Sequence, residues 1–288
     1  ALITGATGFV GKAVCERFLG AGWQVRGLAR SAPHALHGLQ DFTKLDLQKD
    51  DLTGAVNGAD VVVHLAGLAH QIRRTGDEGA VYRLANVDAS LRLAEAARKA
   101  GVPRLLFVST AKVHGESSSE SPFVESDTPQ PRDAYACSKW DAERMLADSF
   151  PGLTVVRPPL VYGPGVGANF LRMLRLLDRG IPLPLASVRN RRSLVFVHNL
   201  ADALYTCATR SQAVGRTYLI SDQQDISTPA LLLQVSRGLR HRARLWPCPL
   251  SLLQLAGAVC GRRHDLDRLL NSFLIDSSRI SGELGWRP

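Results

Sequence analysis

Gly5-Ala6-Thr7-Gly8-Phe9-Val10-Gly11 follows a short apolar run, Ala1–Thr4, and opens into a helical stretch, Val10–Leu19. This order of strand, glycine turn and helix decides the fold. Gly5 suits the tight turn, Gly8 lets backbone approach a pyrophosphate, and Gly11 lets the helix pack closely on the strand with its amino end toward the phosphates. A glycine triad alone occurs by chance. Directly after a strand and before a helix it predicts a dinucleotide site, to which Thr7, Phe9 and Val10 contribute from the same turn.

Outward from this turn, the first half of the chain alternates β-branched or Leu-rich runs with helical stretches, the pattern of a doubly wound parallel α/β sheet. Strands are expected at Ala1–Thr4, Gln24–Ala29, Phe42–Leu45, Asp60–Leu65, Arg104–Ser109 and Leu153–Arg157. Helices are expected near Val10–Leu19, Asp51–Val56, Ala80–Ala100, Ala134–Ser149 and Phe170–Asp178. Gly101-Val102-Pro103 punctuates the end of the long Ala-rich helix, and Thr228-Pro229 opens another over Ala230–Leu239. Beyond residue 160 the alternation gives way to Pro- and Gly-containing loops with helices and two strands, Ser193–Val197 and Thr217–Ile220. The expected division is a nucleotide-binding domain over 1–160 and a smaller mixed α/β lobe over 161–288, with an interleaved boundary. No internal repeat is present, and the short low-complexity stretch Glu116–Ser121 reads as a surface loop.

The 288 residues are 45% hydrophobic and 21% charged, with a mean hydropathy of −0.03, which excludes a disordered, collagenous or membrane-embedded chain. The longest uncharged stretch, Leu245–Gly261, contains Pro247, Pro249, Ser251 and Gln254 and falls short of the roughly 20 apolar residues that span a bilayer. It reads as a loop and a buried helix. Cysteines 15, 137, 207, 248 and 260 form no CxxC pair and no even disulfide framework, and no basic segment followed by an apolar run opens the chain. Both observations point to the cytoplasm. His64, His114 and His198 lack metal-ligand spacing, so no metal site is expected, and Cys137 reads as a packing thiol.

Thirty-five Lys and Arg against 26 Asp and Glu give a net charge of +9. Apart from Arg189–Arg192 and Arg262–His264 the excess is scattered without aromatic interleaving, which argues against nucleic acid and for a small anionic ligand, beside the plainer reading of a solvated basic surface. The second strand ends Leu28-Ala29-Arg30-Ser31, without the acid that holds an NAD ribose. Arg30 and Ser31 can receive a 2′-phosphate instead, which favours NADP(H) over NAD(H). Asp46 and Leu47, after the third strand, are placed to touch the adenine, and Leu65, Ala66 and Gly67, after the fourth, to line the middle of the cofactor.

Tyr135 and Lys139 are four residues apart on one helix face. A free phenol, with a pKa near 10, is a poor acid–base group at neutral pH, and a neighbouring ammonium favours its ionised form. Thr110 ends the fifth strand at the same carboxyl edge. A strand-end hydroxyl, a Tyr and a Lys around a nicotinamide site suit hydride transfer at a carbinol or carbonyl carbon.

With these residues in view the sequence resembles the extended short-chain dehydrogenase/reductases, and among them the nucleotide-sugar epimerase/dehydratase group. The resemblance covers nearly the whole chain. It rests on GATGFVG at Gly5–Gly11, HLAG at His64–Gly67, NVDAS at Asn86–Ser90, FVSTAKVHG at Phe107–Gly115, YACSK at Tyr135–Lys139, RPPLVYGPG at Arg157–Gly165, RRSLVFVHNLADA at Arg191–Ala203 and DSSRISGELGWRP at Asp276–Pro288. It implies a Rossmann domain holding NAD(P) and a carboxyl-terminal lobe holding a nucleotide sugar, with UDP the default nucleotide. Thr110 then resembles the residue that hydrogen-bonds the sugar oxygen, Tyr135 the acid–base and Lys139 the grip on the nicotinamide ribose. Asn86 and Pro158 fall on the cofactor, Asn169 and Arg192 on the diphosphate, and Arg263 or Arg268 completes that site. The same resemblance implies a homodimer through Ala80–Ala100 and Ala134–Ser149.

Three departures narrow the chemistry. Sugar 4,6-dehydratases of this group follow the catalytic Thr with Asp-Glu, whereas Thr110 is followed by Ala111-Lys112, which argues against dehydration. Leu160 replaces the Asn that usually precedes VYG, and Ala69 replaces a cofactor-binding Lys of some epimerases. A 4-epimerase benefits from retaining NAD+, whereas a 4-ketoreductase must release NADP+. The missing acid, Arg30 with Ser31, and Ala69 place reduction of a 4-keto nucleotide sugar for surface polysaccharide precursors ahead of 4-epimerisation. A non-catalytic NADP-sensing regulator is the reading from another class, disfavoured because Thr110, Tyr135 and Lys139 occur together.

Overall fold

Runs such as Leu2-Ile3 and Val61–Val63 are apolar on both faces, as strands covered on both sides must be. In the computed structural model, which describes all residues except 32–38, 40, 70–76, 119–120, 240–242, 260 and 262 and the side chains of 168, 169 and 263–265, they form the middle of a seven-stranded parallel sheet. Its strands are β1 (Leu2–Thr4), β2 (Arg26–Ala29), β3 (Asp41–Lys44), β4 (Val62–His64), β5 (Leu105–Val108), β6 (Leu153–Arg157) and, after the paired β7 (Leu160–Tyr162) and β8 (Leu194–Phe196) of the lobe, β9 (Thr217–Leu219). The order is β3-β2-β1-β4-β5-β6-β9. The chain therefore runs outward from β1 and returns to β4, and the reversal opens a crevice at the carboxyl ends of those two neighbours.

Alternation along the strands divides the core. Ile3, Leu106 and Val156 face helices Phe9–Gly20 and Val197–Thr209, together with Trp286 from the end of the chain. Leu2, Leu105, Phe107 and Val155 face helices Ala89–Lys99 and Ala134–Ser149 through Leu93, Ala97, Ala142 and Leu146. A third cluster, with Leu177, Leu185, Leu232 and Leu253, holds the lobe together. Among the described residues no helix is long and apolar enough to cross a membrane.

Four expectations need correction. Leu160–Tyr162 is a strand that pairs parallel with Leu194–Phe196; three residues beside two prolines carry too little pattern to show it. The strand expected to run to Val197 stops at Phe196, because Val197–Thr209 is a helix that buries Leu200, Ala203, Leu204 and Cys207. The single helix expected over Ala80–Ala100 is interrupted by a π turn at Arg83–Asp88. Finally, Leu250–Val259 is a helix that buries only Leu253 and Gly257; a segment apolar on every side does not announce which side is covered.

The glycine turn is held by two contacts that no larger residue permits. Gly5 has φ +69°, and a Cβ there would lie 2.9 Å from the Ala66 nitrogen. At Gly11 an added Cβ would meet the Gly5 carbonyl oxygen at 2.1 Å. Gly11→Ala is therefore expected to push the helix off the turn and cost about 1–3 kcal/mol. Urea unfolding measures this, and an unchanged midpoint would show that the turn yields freely.

Candidate active site

A buried chain of hydrogen bonds fixes the crevice. The Ala66 N–H donates to Thr4 Oγ1 at 3.1 Å, and Thr4 Oγ1 lies 2.7 Å from His64 Nδ1. His64 Nε2 lies 2.8 Å from Ser90 Oγ, which itself donates to the Asn86 carbonyl at 2.6 Å. With its proton committed to that carbonyl, Ser90 accepts from Nε2–H, and Nδ1 accepts from Thr4. His64 is thus neutral with its proton on Nε2, and burial followed by the Lys139 charge lowers its pKa to about 3.

Asn86 sits in the π turn, a distortion frequent at functional sites, and its amide continues the network. It accepts from Leu68 N–H at 2.7 Å and donates to the Leu68 carbonyl at 3.1 Å and to Ser138 Oγ at 2.9 Å. Ser138 donates to the Tyr135 carbonyl at 2.8 Å. The loop after β4 is thereby fastened to the helix that carries Tyr135 and Lys139.

That helix, Ala134–Ser149, is capped by Asp133, whose carboxylate accepts from Ala136 N–H at 2.7 Å. Lys139 is buried, donates to the Val108 carbonyl at 2.8 Å and lies over the Phe107 ring at 4.4 Å. Burial lowers its pKa to about 8, against the opposing charge of Glu143. Glu143 is itself bound by Arg157 of β6 at 2.6 Å, and Arg157 donates to His114 Nε2 at 2.9 Å. Burial, reinforced by Asp133, pushes the half-buried Tyr135 phenol above its ordinary range, while the nearby Thr110 side chain works the other way. Thr110, Tyr135 and Lys139 therefore converge at the carboxyl edge.

The glycine turn fits a dinucleotide. Helix Phe9–Gly20 has no side-chain cap and no acid in its first turn, so its free N–H groups and dipole are available to an anion. Thr7, Gly8, Phe9 and Val10 are at least partly exposed, and so is the Leu65–Gly67 segment across the crevice. A Cβ on Gly67 would lie 2.9 Å from Asn86 Oδ1 and 3.4 Å from Lys139 Nζ, so backbone alone fits there. Ser109 Oγ is buried without a partner among the described residues. Arg30 and Ser31 are exposed at the end of β2. Asp46 accepts from Gln48 N–H at 3.0 Å, and Leu47 is buried in the core. Pro158 is buried, and its carbonyl accepts from Ala111 N–H at 2.8 Å.

On the lobe side four charges close on themselves. Lys112 binds Glu116 at 2.8 Å and also Asp133, and Arg268 binds Glu116 at 3.1 Å and Asp133 at 3.2 Å. Arg192 donates to the carbonyls of Arg268 and Asn271. Of the residues expected on a diphosphate, Arg192 and Arg268 thus meet beside the Tyr135 helix, whereas the side chains of Asn169 and Arg263 lie outside the described residues. Sequence reasoning gave no role to Thr4, nor to Ser90 and Ser138 inside the motifs that contain them, and missed the charged loop, because Arg268, which closes it, is far from the other three in sequence.

These features have relatives. The model of the NAD dependent epimerase/dehydratase family matches residues 1–221. The chain is 35% identical to a UDP-glucose 4-epimerase of Vibrio cholerae, covering 100% of this chain and 90% of that protein. It is 29% identical to a ceramide reductase of Caulobacter vibrioides, over 99% of this chain and 85% of the other. Among solved structures it superposes on a UDP-glucuronic acid 4-epimerase from Bacillus cereus in complex with UDP-glucuronic acid and NAD, with a TM-score of 0.79 and 19% identity over 100% of this chain and 93% of that one.

The burial of Lys139 carries a stability consequence. With a folded pKa of about 8 against about 10.4 unfolded, the folded state binds fewer protons between these values, so stability rises with pH across that window. Lys139→Met is expected to raise the urea midpoint at pH 7, with the gain shrinking as pH climbs from 8 to 10. A midpoint that falls at pH 7 would show that the ammonium stabilises the fold.

Proposed function

The chain belongs to the NAD dependent epimerase/dehydratase family, and on that premise we propose that it performs oxidoreduction at C4 of a nucleotide sugar, chiefly the reduction of a 4-keto sugar. The observation that carries this reading is the convergence of Thr110, Tyr135 and Lys139 at the carboxyl end of β5. The glycine turn and the uncapped amino end of helix Phe9–Gly20 would hold a nicotinamide dinucleotide, which would supply hydride for the carbon. Tyr135, kept protonated by burial, gives its proton to the developing alkoxide, and Thr110 holds that oxygen. Lys139 is fixed to β5 by the Val108 carbonyl and presents its remaining N–H groups to the cofactor ribose. Arg192 and Arg268 hold the diphosphate, UDP being the nucleotide in the names of the Vibrio and Bacillus proteins. The products serve surface polysaccharide precursors.

The direction rests on the cofactor. No acid ends β2, and Arg30 with Ser31 is open to a 2′-phosphate, which supports an exchangeable NADP(H). Lys112 is engaged by two carboxylates where dehydratases carry an acid, so elimination of water has no support. One observation favours a second reading: similarity to the Vibrio UDP-glucose 4-epimerase supports 4-epimerisation, with the same residues acting first backward and then forward on retained NAD(H).

Denaturing the purified protein, identifying any released dinucleotide, and titrating emptied protein with NADPH and NADH separates the two. The expected result is an empty site that prefers NADPH. Near-stoichiometric NAD+ in the released material would overturn the reductive direction and leave the epimerase.

A further inference from the structure

The helix Leu250–Val259 is turned the wrong way for a water-facing surface. Leu252, Leu255 and Val259 are 55%, 61% and 79% exposed, and their spacing of three and four residues puts them on one face. Gln254 lies off that stripe, and the opposite side packs Leu253 and Gly257 into the lobe. Trp246, 49% exposed between Arg244 and Pro247, stands just before the helix. Single exposed leucines are ordinary, whereas a stripe of them with a tryptophan marks a surface meant to be covered.

The charge around the stripe says by what. Residues 226–264 contain six arginines, at 237, 240, 242, 244, 262 and 263, and no Asp, Glu or Lys. This segment alone supplies most of the chain's excess of +9. Arg237 and Arg244 are exposed. A second copy seated symmetrically would set this charge against itself, whereas an acidic phospholipid surface complements it and accepts the leucines beneath its headgroups. Tryptophan suits the same depth, its ring apolar and its N–H wet. A helix of ten residues is about 15 Å long, half of a bilayer's hydrocarbon thickness, so it lies on the surface.

We propose that the exposed stripe Leu252, Leu255 and Val259, together with the exposed Trp246, Arg237 and Arg244 of the same segment, docks the protein on membranes containing acidic phospholipids. The docking is independent of the reaction at the carboxyl edge and leaves it unchanged.

Sedimentation of the full chain with phosphatidylcholine vesicles, with and without phosphatidylglycerol and at low and high salt, tests this. The expected result is at least about tenfold tighter binding to the acidic vesicles, weakened by salt. Leu252→Asp with Leu255→Asp is expected to reduce that binding at least about tenfold with an unchanged melting temperature. Should the pair melt lower, Arg237→Ser with Arg244→Ser provides the second reading, with loss of the preference for phosphatidylglycerol expected. Failure to bind acidic vesicles, or variants that bind like the parent, would overturn the proposal. So would sedimentation velocity showing a dimer that Leu255→Asp separates, which would assign the face to a second copy.

Discussion

The hydrogen-bond chain from Ala66 through Thr4, His64 and Ser90 to Asn86 runs in one direction only, and the crevice takes its shape from that. Each hydroxyl gives its single proton onward and accepts one from behind, so His64 can serve only as a neutral relay. Buried polar groups are costly when unpaired, and here each member's requirement is met by the next. The result is a fixed separation between the ends of β1 and β4, a fixed position for the loop after β4 and, through Ser138, a fixed approach for the Tyr135 helix.

On this frame the two ionisable residues are placed in opposing states. Burial holds the phenol protonated and weakens the hold of Lys139 on its proton. Asp133 sharpens the contrast, because its carboxylate both caps the helix and raises the phenol's pKa. Lys112 and Arg268 neutralise that carboxylate and join the lobe to the helix cap. The lobe's arginines therefore meet beside the helix that carries Tyr135.

Much of this was legible in the sequence because it is local. The glycine turn, the strand before it and the Tyr135–Lys139 spacing lie within short windows, and each of the seven sheet strands overlaps a short run expected to be one. What escaped depended on distance or on facing. The π turn that presents Asn86 is a local defect inside a good helical pattern. The Lys112–Glu116–Arg268–Asp133 loop closes between residues more than a hundred positions apart. Leu250–Val259 is apolar on nearly all sides, so its periodicity carries no direction; of the arginines bracketing it, Arg262 and Arg263 stand out as a cluster, whereas Arg237, Arg240, Arg242 and Arg244 pass as scattered charge.

In the proposed reaction C4 takes the hydride and Tyr135 gives the proton. The most direct measurement supplies cofactor deuterated at the transferred position together with a 4-keto UDP-sugar, and follows the product by NMR for the parent and for Tyr135→Phe. Deuterium is expected at C4 and nowhere else with the parent, and turnover at least about a hundredfold lower with unchanged cofactor binding for the variant. Deuterium absent from C4, or near-normal turnover by Tyr135→Phe, would contradict it.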